Sequence, residues 1–154
     1  MKKVVIFLSC VGLGWGALPA LAQVNKPTVS AVTAPSDALF QALGGQGGIT
    51  RVAEDAVKRW VVDPRIAEFF KDTQPEGLIE SLAEQICNLT GGPCPYTGAD
   101  MKKSHIDMKI KKSDFNAVVE LLQDAMTAQN IPFRVQNQLL ALLAPMHRDV
   151  ITVH

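Results

Sequence analysis

Apolar and polar positions follow a helical period over most of the chain. Between Ile49 and Val61 the apolar residues recur at spacings of three and four, and charged residues occupy the opposite face. The same period runs through Leu78–Leu89 and Phe115–Met126, and a last apolar stripe extends over Phe133–Ile151. Since no segment shows a convincing period of two, the sequence predicts an all-α fold.

Turn and cap signals in the first half of the domain divide this pattern into helices. Ser36 or Asp37 can cap a short helix that ends at Gly44-Gly45. Asp63-Pro64 opens the short segment Arg65 to Phe70. Thr73-Gln74-Pro75 begins a longer helix, which Gly91-Gly92-Pro93 ends.

The second half of the domain is punctuated in the same way. We expect a short helix at Asp100–His105, in an otherwise loose stretch. Ser113 is the predicted cap of the helix that contains Phe115, and Asn130-Ile131-Pro132 ends that helix. Pro145 should kink the last helix because proline removes one backbone hydrogen bond.

The amino terminus has the pattern of a cleavable signal peptide. A cationic start, Met1-Lys2-Lys3, precedes an apolar run and then Pro19-Ala20-Leu21-Ala22, which predicts cleavage before Gln23. We therefore divide the chain into a signal peptide (1–22), a flexible linker (23–36) and one domain (37–154). The predicted location is periplasmic or secreted, with no stable membrane span after cleavage.

The charge balance gives no indication of a nucleic-acid partner. Without Lys2 and Lys3, thirteen Lys and Arg residues stand against fifteen Asp and Glu, so the mature chain has a net charge near −2. Basic runs with interleaved aromatic residues, which are typical of nucleic-acid binding, do not occur in the sequence.

Two cysteines, Cys87 and Cys94, remain after cleavage. In an oxidising compartment such a pair is most simply a structural disulfide, and its short loop would stabilise the fold by roughly 2–3 kcal/mol. A redox or metal pair is the alternative, but the spacing is not Cys-x-x-Cys and no histidine is adjacent.

Residues that could carry chemistry are few. His154 is terminal, His147 fits a solvated surface position, and His105 lies close to Met101 and Met108. A histidine in that setting is more often packed or exposed than a metal ligand. Hydrolase, zinc-protease and phosphate-loop motifs are missing from the sequence, so it points to no enzyme class.

The ordered signals together resemble the group I truncated haemoglobins, which are bacterial-type globins. The resemblance covers Asp37 to Val153, and its order and spacing are more specific than any single motif. Its motifs are Leu39-Phe40-x-x-Leu43-Gly44-Gly45, Gly48-Ile49, Asp63-Pro64-Arg65, Phe69-Phe70, Gly91-Gly92-Pro93, Tyr96-Thr97-Gly98 and Met101-x-x-x-His105, followed by Ile110 and Phe115.

This resemblance implies a two-over-two helical sandwich around one haem b per chain. His105 falls on the position of the proximal iron ligand, and Phe70 falls on the phenylalanine that packs against the porphyrin face. A haem needs a neutral imidazole and a large dry pocket. The other positions that the resemblance places against the cofactor are Leu78, Leu82, Met101, Ile110, Phe115 and Val118.

The distal side departs from the family pattern. Val57 stands where the family usually has a tyrosine that hydrogen-bonds bound oxygen, and Leu82 stands where many relatives have a glutamine. The predicted distal wall is therefore Val57, Leu78 and Leu82, with Gln85 as the nearby polar side chain. Because this stretch contains no lysine or histidine, we expect a five-coordinate ferrous iron.

The resemblance thus predicts an exported haem protein that reversibly binds a diatomic gas, O2, NO or CO. NO or peroxide redox chemistry is compatible with such a site, although the sequence identifies no electron donor. The alternative is a haem carrier, or a haem-dependent sensor or interaction protein without a gas-transport role. A disulfide between Cys87 and Cys94 would restrain the turn that joins the distal helix to the proximal segment.

Overall fold

The computed structural model describes residues 37–153, and every regular element within them is helical. Turns and two 3-10 segments, Ala67–Phe70 and Ala144–Met146, connect the α-helices of this range. The all-α prediction is confirmed. Residues 1–36, which carry the predicted signal peptide and linker, and His154 lie outside the described residues. The α-helices are α1 (Ala38–Ala42), α2 (Gly45–Trp60), α3 (Pro75–Leu89), α4 (Met101–His105), α5 (Lys112–Ala128), α6 (Phe133–Leu143) and α7 (His147–Val150).

Helix α2 is central to the packing. It packs against α3 and against α5, and α5 packs against α6, so two helices lie over two. The short α1 contacts both α2 and α6. The apolar stripe predicted for α2 is buried from Ile49 to Trp60, and its last residue, Val61, is half-buried at the end of the helix. The core is therefore assembled mainly on the face of α2 that the helical period marks out.

The turn between α1 and α2 depends on glycine. Gly44 caps α2 in a left-handed conformation, with φ of 89°, which glycine adopts without steric cost. A Cβ atom on Gly48 would lie 2.1 Å from the Leu43 carbonyl oxygen, so the two helices approach closely there. Helix α2 begins at Gly45, one turn before the apolar period starts at Ile49. Periodicity alone therefore underestimated its length.

The segment that leads to Phe70 is fixed by hydrogen bonds and ion pairs. The 3-10 helix begins at Ala67 with Ile66 at its N-cap, so Asp63 is not the cap that the sequence predicted. The Asp63 carboxylate instead closes a local turn and accepts a hydrogen bond of 2.9 Å from the Arg65 backbone N–H. The Arg65 guanidinium also pairs with Asp63 and with Glu120 of α5, each at 2.9 Å. Hydrogen bonding from the Arg65 side chain lowers the pKa of Asp63. This cluster connects the turn that precedes the 3-10 segment Ala67–Phe70 to α5.

The start of α5 differs from the prediction. Lys111, rather than Ser113, is the N-cap residue. The Asp114 carboxylate reaches back and accepts a hydrogen bond of 2.9 Å from the Lys111 N–H, while the Ser113 hydroxyl donates to Asp114. An acidic residue three positions into a helix can satisfy the cap backbone in this way, so the serine is not needed as the cap.

The last predicted helix is interrupted at Pro145, as expected. It divides into α6, the 3-10 turn Ala144–Met146 and α7. The carboxyl-terminal residues then return to the domain, because the backbone N–H groups of Thr152 and Val153 donate to the Ile110 carbonyl at 3.0 Å. The Ile110 N–H donates to the Thr152 hydroxyl at 2.8 Å.

Cys87 and Cys94 form a disulfide, with their Cα atoms 5.8 Å apart. Cys87 is buried in α3, and Cys94 follows the Gly91-Gly92-Pro93 turn. A Cβ atom on Gly92 would lie 2.5 Å from the Cys87 Sγ and 2.6 Å from the Phe40 ring. The turn can therefore pass the disulfide only with glycine at this position. No helix in the described range is long and apolar enough to cross a membrane.

Candidate functional site

A cavity of about 390 Å³ lies among α3, α4, α5 and the carboxyl-terminal segment. Its size falls within the range of small-molecule and cofactor pockets, and apolar side chains form most of its surface. A few polar groups join them, among them Ser81 at the exposed edge. The arrangement suits a large apolar ligand that is fixed by a small number of polar contacts.

The residues that the sequence assigned to cofactor contact all line this cavity. They come from separate parts of the chain, since α3, α4 and α5 supply two each and the remaining two stand in connecting segments. The fold thus brings to one surface residues that are up to 48 positions apart in sequence. They are Phe70, Leu78, Leu82, Met101, His105, Ile110, Phe115 and Val118.

The hydrogen bond of His105 is compatible with a role as metal ligand. Its Nδ1 atom lies 2.7 Å from the Met101 carbonyl oxygen. Because a carbonyl only accepts, Nδ1 carries the proton, and in the neutral ring Nε2 keeps its lone pair. The ring is half-buried at the cavity surface. A backbone carbonyl that fixes the tautomer of a ligating histidine is a common second partner at metal sites.

Helix α4, which carries His105, is held by Asp100. The Asp100 side chain accepts a hydrogen bond of 2.9 Å from the Lys103 N–H, and its carbonyl accepts one from the Ser104 hydroxyl at 3.0 Å. The Lys103 backbone hydrogen bond is the main reason why the pKa of Asp100 lies below its usual value. A capped helix of five residues therefore sets the position of the imidazole.

Val57 is the predicted distal residue that the structure does not place on the cavity surface. It is buried in the core and is not among the residues that line the cavity. Trp60, one turn further along α2, lines the cavity instead. Its indole stacks on Phe70 with ring centroids 5.8 Å apart, and its Nε1–H donates to the Val118 carbonyl at 3.2 Å. This bulky, anchored ring occupies the face of α2 that meets the cavity.

Gln85 lines the cavity, but its side-chain amide points at two methionine sulfur atoms. Its Nε2 atom lies 3.6 Å from the Met101 Sδ and 3.5 Å from the Met146 Sδ. Thioether sulfur is a weak acceptor, so these contacts orient the amide more than they stabilise it. The expected polar group of the distal side therefore points towards α4 and the carboxyl-terminal segment. Of the predicted distal residues, Leu78 and Leu82 also line the cavity.

Sequence reasoning missed several lining residues, among them Trp60, Tyr96 and Met146. Trp60 belonged to the apolar stripe of α2 and was read as core. The Tyr96 hydroxyl donates to the Ala99 carbonyl at 2.9 Å, and burial raises the pKa of this tyrosine. Met146 reaches the site only because the chain breaks at Pro145. Met146 belongs to the last apolar stripe, which the period alone assigns to the core. Periodicity does not mark Tyr96, although this residue lies within the Tyr96-Thr97-Gly98 motif.

The comparison with known proteins identifies the family. A profile for bacterial-like globins matches residues 38–152. The chain belongs to this family. The Group 1 truncated hemoglobin GlbN of Mycolicibacterium paratuberculosis is 31% identical over 114 residues, which cover 74% of this chain and 84% of that protein. Membership implies a haem-binding globin.

Solved structures show the same truncated-globin fold. The truncated hemoglobin from Tetrahymena pyriformis, in its Fe(III) form, matches with a TM-score of 0.71 at 23% identity, over 73% of this chain and 97% of that one. The 2/2 hemoglobin from Synechococcus sp. PCC 7002, with covalently attached heme, matches with a TM-score of 0.69 at 19% identity and the same coverage. The predicted two-over-two sandwich is therefore confirmed.

The cavity of this globin fits a haem by its own chemistry. One imidazole supplies a single ligand, and a porphyrin supplies the four nitrogen ligands in its plane. The predominantly apolar lining suits the porphyrin faces, and the bond from Nδ1 of His105 to the Met101 carbonyl leaves Nε2 available. An iron porphyrin held here would contribute an axial site for a small ligand.

Proposed function

We propose that this globin holds one haem b through His105 and reversibly binds a diatomic gas, O2, NO or CO, at a five-coordinate ferrous iron. The observation that carries the proposal is the fixed tautomer of His105. Its Nδ1 donates to the Met101 carbonyl at 2.7 Å, and the ring stands at the surface of a cavity of about 390 Å³. An axial ligand to iron requires such a presented Nε2 lone pair.

The chain offers a matched control for the test. His147 makes a similar Nδ1 contact of 2.9 Å with the Ala144 carbonyl, but it is exposed and does not line the cavity. We expect His105→Ala to lose the Soret band of the haem-loaded protein and His147→Ala to keep it. Added imidazole should restore the band in His105→Ala, which separates loss of a ligand from misfolding. A Soret band unchanged in His105→Ala would refute the assignment.

The distal wall supports gas binding without strong stabilisation of O2. Leu78 and Leu82 line the cavity from α3, and the amide of Gln85 is directed at the sulfurs of Met101 and Met146. None of these groups is placed as a donor to a polar ligand. We therefore expect NO and CO, which need little polar help, to be bound better relative to O2 than in a globin with a distal tyrosine. Ligand-binding spectra of the ferrous protein measure this directly.

We also propose that the protein is exported and begins at Gln23 after cleavage. The disulfide between Cys87 and Cys94 supports this, because such bonds persist in oxidising compartments. The test is the amino-terminal sequence of the protein isolated from the producing cells, together with the fraction that contains it. A protein that retains residues 1–22 and stays in the cytoplasmic fraction would refute the proposal.

A haem carrier on the same fold would differ in the rate of haem release. The His105 tautomer and the capped α4 helix favour retention of the cofactor. Transfer of haem to an apo-globin scavenger measures the rate. We expect slow release, and rapid release would favour the carrier.

A further inference from the structure

A second concave site lies on the far side of Phe115 from the cavity. It is a cleft between the first turns of α5 and the carboxyl-terminal segment. Helix α5 contributes residues at positions i, i+3 and i+4, which share one helix face. We name this site the carboxyl-terminal cleft, and its lining residues are Lys112, Phe115, Asn116, Ala144, His147, Ile151 and Val153.

The polar side chains that line the carboxyl-terminal cleft have the chemistry to bind an anion. Lys112 is exposed and is the charged group among the lining residues, and it takes no part in the ion pairs formed between described residues. The neighbouring Asp114 carboxylate accepts from the Lys111 N–H and the Ser113 hydroxyl instead. Lys112 and Asn116 are four positions apart on α5 and therefore share one helix face. A carboxylate can accept hydrogen bonds from an ammonium group and an amide placed in this way.

The remainder of the cleft is apolar and aromatic. The His147 ring stands 6.4 Å from the Phe115 ring, with the two planes at 59°. Its Nδ1 is engaged with the Ala144 carbonyl at 2.9 Å, which fixes the orientation of the imidazole. Ile151 and Val153 complete this side of the cleft. A ligand that matches both parts has a carboxylate at one end and a flat apolar body at the other.

The wall of the carboxyl-terminal cleft is coupled to the wall of the cavity through two contacts. Phe115 lines both sites, so one ring separates them. Val153 lines the cleft, and its backbone N–H donates to the carbonyl of Ile110, which lines the cavity. A ligand that repositions Phe115 or the terminal segment therefore changes the wall of the other site.

From this geometry we infer that the carboxyl-terminal cleft is an effector site for a small aromatic or apolar monocarboxylate. Its occupant changes gas binding through the shared Phe115 wall. The binding step stands independently of haem chemistry, whereas the coupling step rests on the function proposed above. By linkage, gas binding must change the affinity for the carboxylate by the same factor.

Benzoate is the probe and benzamide, its neutral analogue, is the matched control. In ¹H–¹⁵N spectra of the haem-loaded protein, benzoate should cause saturable shifts at amides of 112–116 and 147–153, with a dissociation constant of about 1 mM. Lys112→Met should weaken binding at least tenfold, as expected for loss of a hydrogen bond to a charged group. Lys58→Met removes an exposed lysine of α2 and should leave the affinity unchanged.

A second variant and a second measurement complete the test. Asn116→Ala should weaken benzoate binding in the same direction as Lys112→Met. In the ferrous protein, saturating benzoate should change the CO affinity about fivefold, and the change should disappear in Lys112→Met. Equal binding of benzamide, equal affinity in Lys112→Met, or shifts that do not saturate would overturn the site. Saturable binding with an unchanged CO affinity would overturn the coupling and retain the site.

Discussion

At the scale of single residues, the proposed gas site makes Leu82 the position at which a hydrogen-bond donor should change oxygen binding. It lines the cavity from α3 and offers no donor. We expect Leu82→Gln to slow oxygen dissociation tenfold to a hundredfold, because a hydrogen bond to a charged ligand contributes about 1.5–3 kcal/mol. CO dissociation, which depends less on a donor, should change little. Stopped-flow measurement of both off-rates checks the prediction.

Leu82→Met is the control, since it keeps an apolar side chain of similar size. Slower oxygen dissociation in both variants would point to altered packing and contradict the donor argument.

Val57→Tyr introduces a hydroxyl group at a buried position of α2. Because Val57 is buried in the core, we expect the tyrosine to destabilise the fold by about 1–3 kcal/mol through overpacking. It should not act as a distal donor.

A second residue-scale prediction compares two glycines. Gly92→Ala would place a Cβ atom 2.5 Å from the Cys87 Sγ and 2.6 Å from the Phe40 ring. We expect it to lower the free energy of unfolding by about 1–3 kcal/mol. Gly77→Ala, in α3, meets no atom within 4 Å and should raise it by roughly 0.5–1 kcal/mol. Urea unfolding of both variants measures the contrast, which the same sign for both changes would contradict.

Residue identity alone could not settle the direction of each side chain. The alignment of motifs placed His105 and seven other residues on one cavity, and the structure brings them together there. It could not reveal that Val57 faces the core while Trp60 reaches the cavity, because both belong to one apolar stripe. The direction of Gln85 depends on Met146, which lies 61 residues away and is placed by tertiary packing.

At the scale of elements, the position of His105 depends on how α4 begins. The helix has five residues and its cap is the Asp100 carboxylate. We expect Asp100→Ala to speed haem release and lower the unfolding midpoint. Asp100→Asn should behave like the parent at neutral pH, since asparagine caps nearly as well as aspartate. Haem transfer to a scavenger checks both variants, and equal release from Asp100→Ala and the parent would contradict the cap argument.

The same cap predicts the direction of a pH effect. The folded protein lowers the pKa of Asp100, mainly through the Lys103 backbone hydrogen bond. The contribution of this group to stability is therefore present above its unfolded pKa of about 3.9 and is lost as the pH falls through the lower folded value. Between those values the parent should lose stability relative to Asp100→Asn, which cannot titrate there. Parallel acid titrations of the two proteins, followed by circular dichroism, check the sign.

Element boundaries show where sequence reasoning reaches its limit. Proline and glycine signals located the ends of α1, α3 and α6 closely, because they act through local backbone sterics. The start of α5 was misplaced because the Asp114 carboxylate accepts a hydrogen bond from the Lys111 N–H, whereas the Ser113 hydroxyl donates to Asp114 and does not cap the helix. The first turn of α2 was missed because its glycines have no apolar period.

At the scale of the whole molecule, the disulfide joins the distal helix α3 to the segment that leads to α4. Its main effect is expected on the unfolded chain, whose freedom it restricts, and its short loop predicts roughly 2–3 kcal/mol. Haem stabilises by a different route, because it binds only the folded protein. The two contributions should therefore add to within about 0.5 kcal/mol.

Removing the disulfide in the presence and in the absence of haem tests whether the two contributions to stability are independent. The Cys87→Ala/Cys94→Ala variant should lose roughly 2–3 kcal/mol of unfolding free energy, and the loss should be equal in the apo and haem-loaded forms. Urea unfolding of the parent and of the variant, each with and without haem, gives the loss of unfolding free energy in both forms. A loss that is larger with haem would mean that the disulfide also sets the spacing between Leu82 on the distal side and His105 on the proximal side. The reduced protein would then release haem faster than the oxidised one, so oxidation after export would itself improve retention of the cofactor.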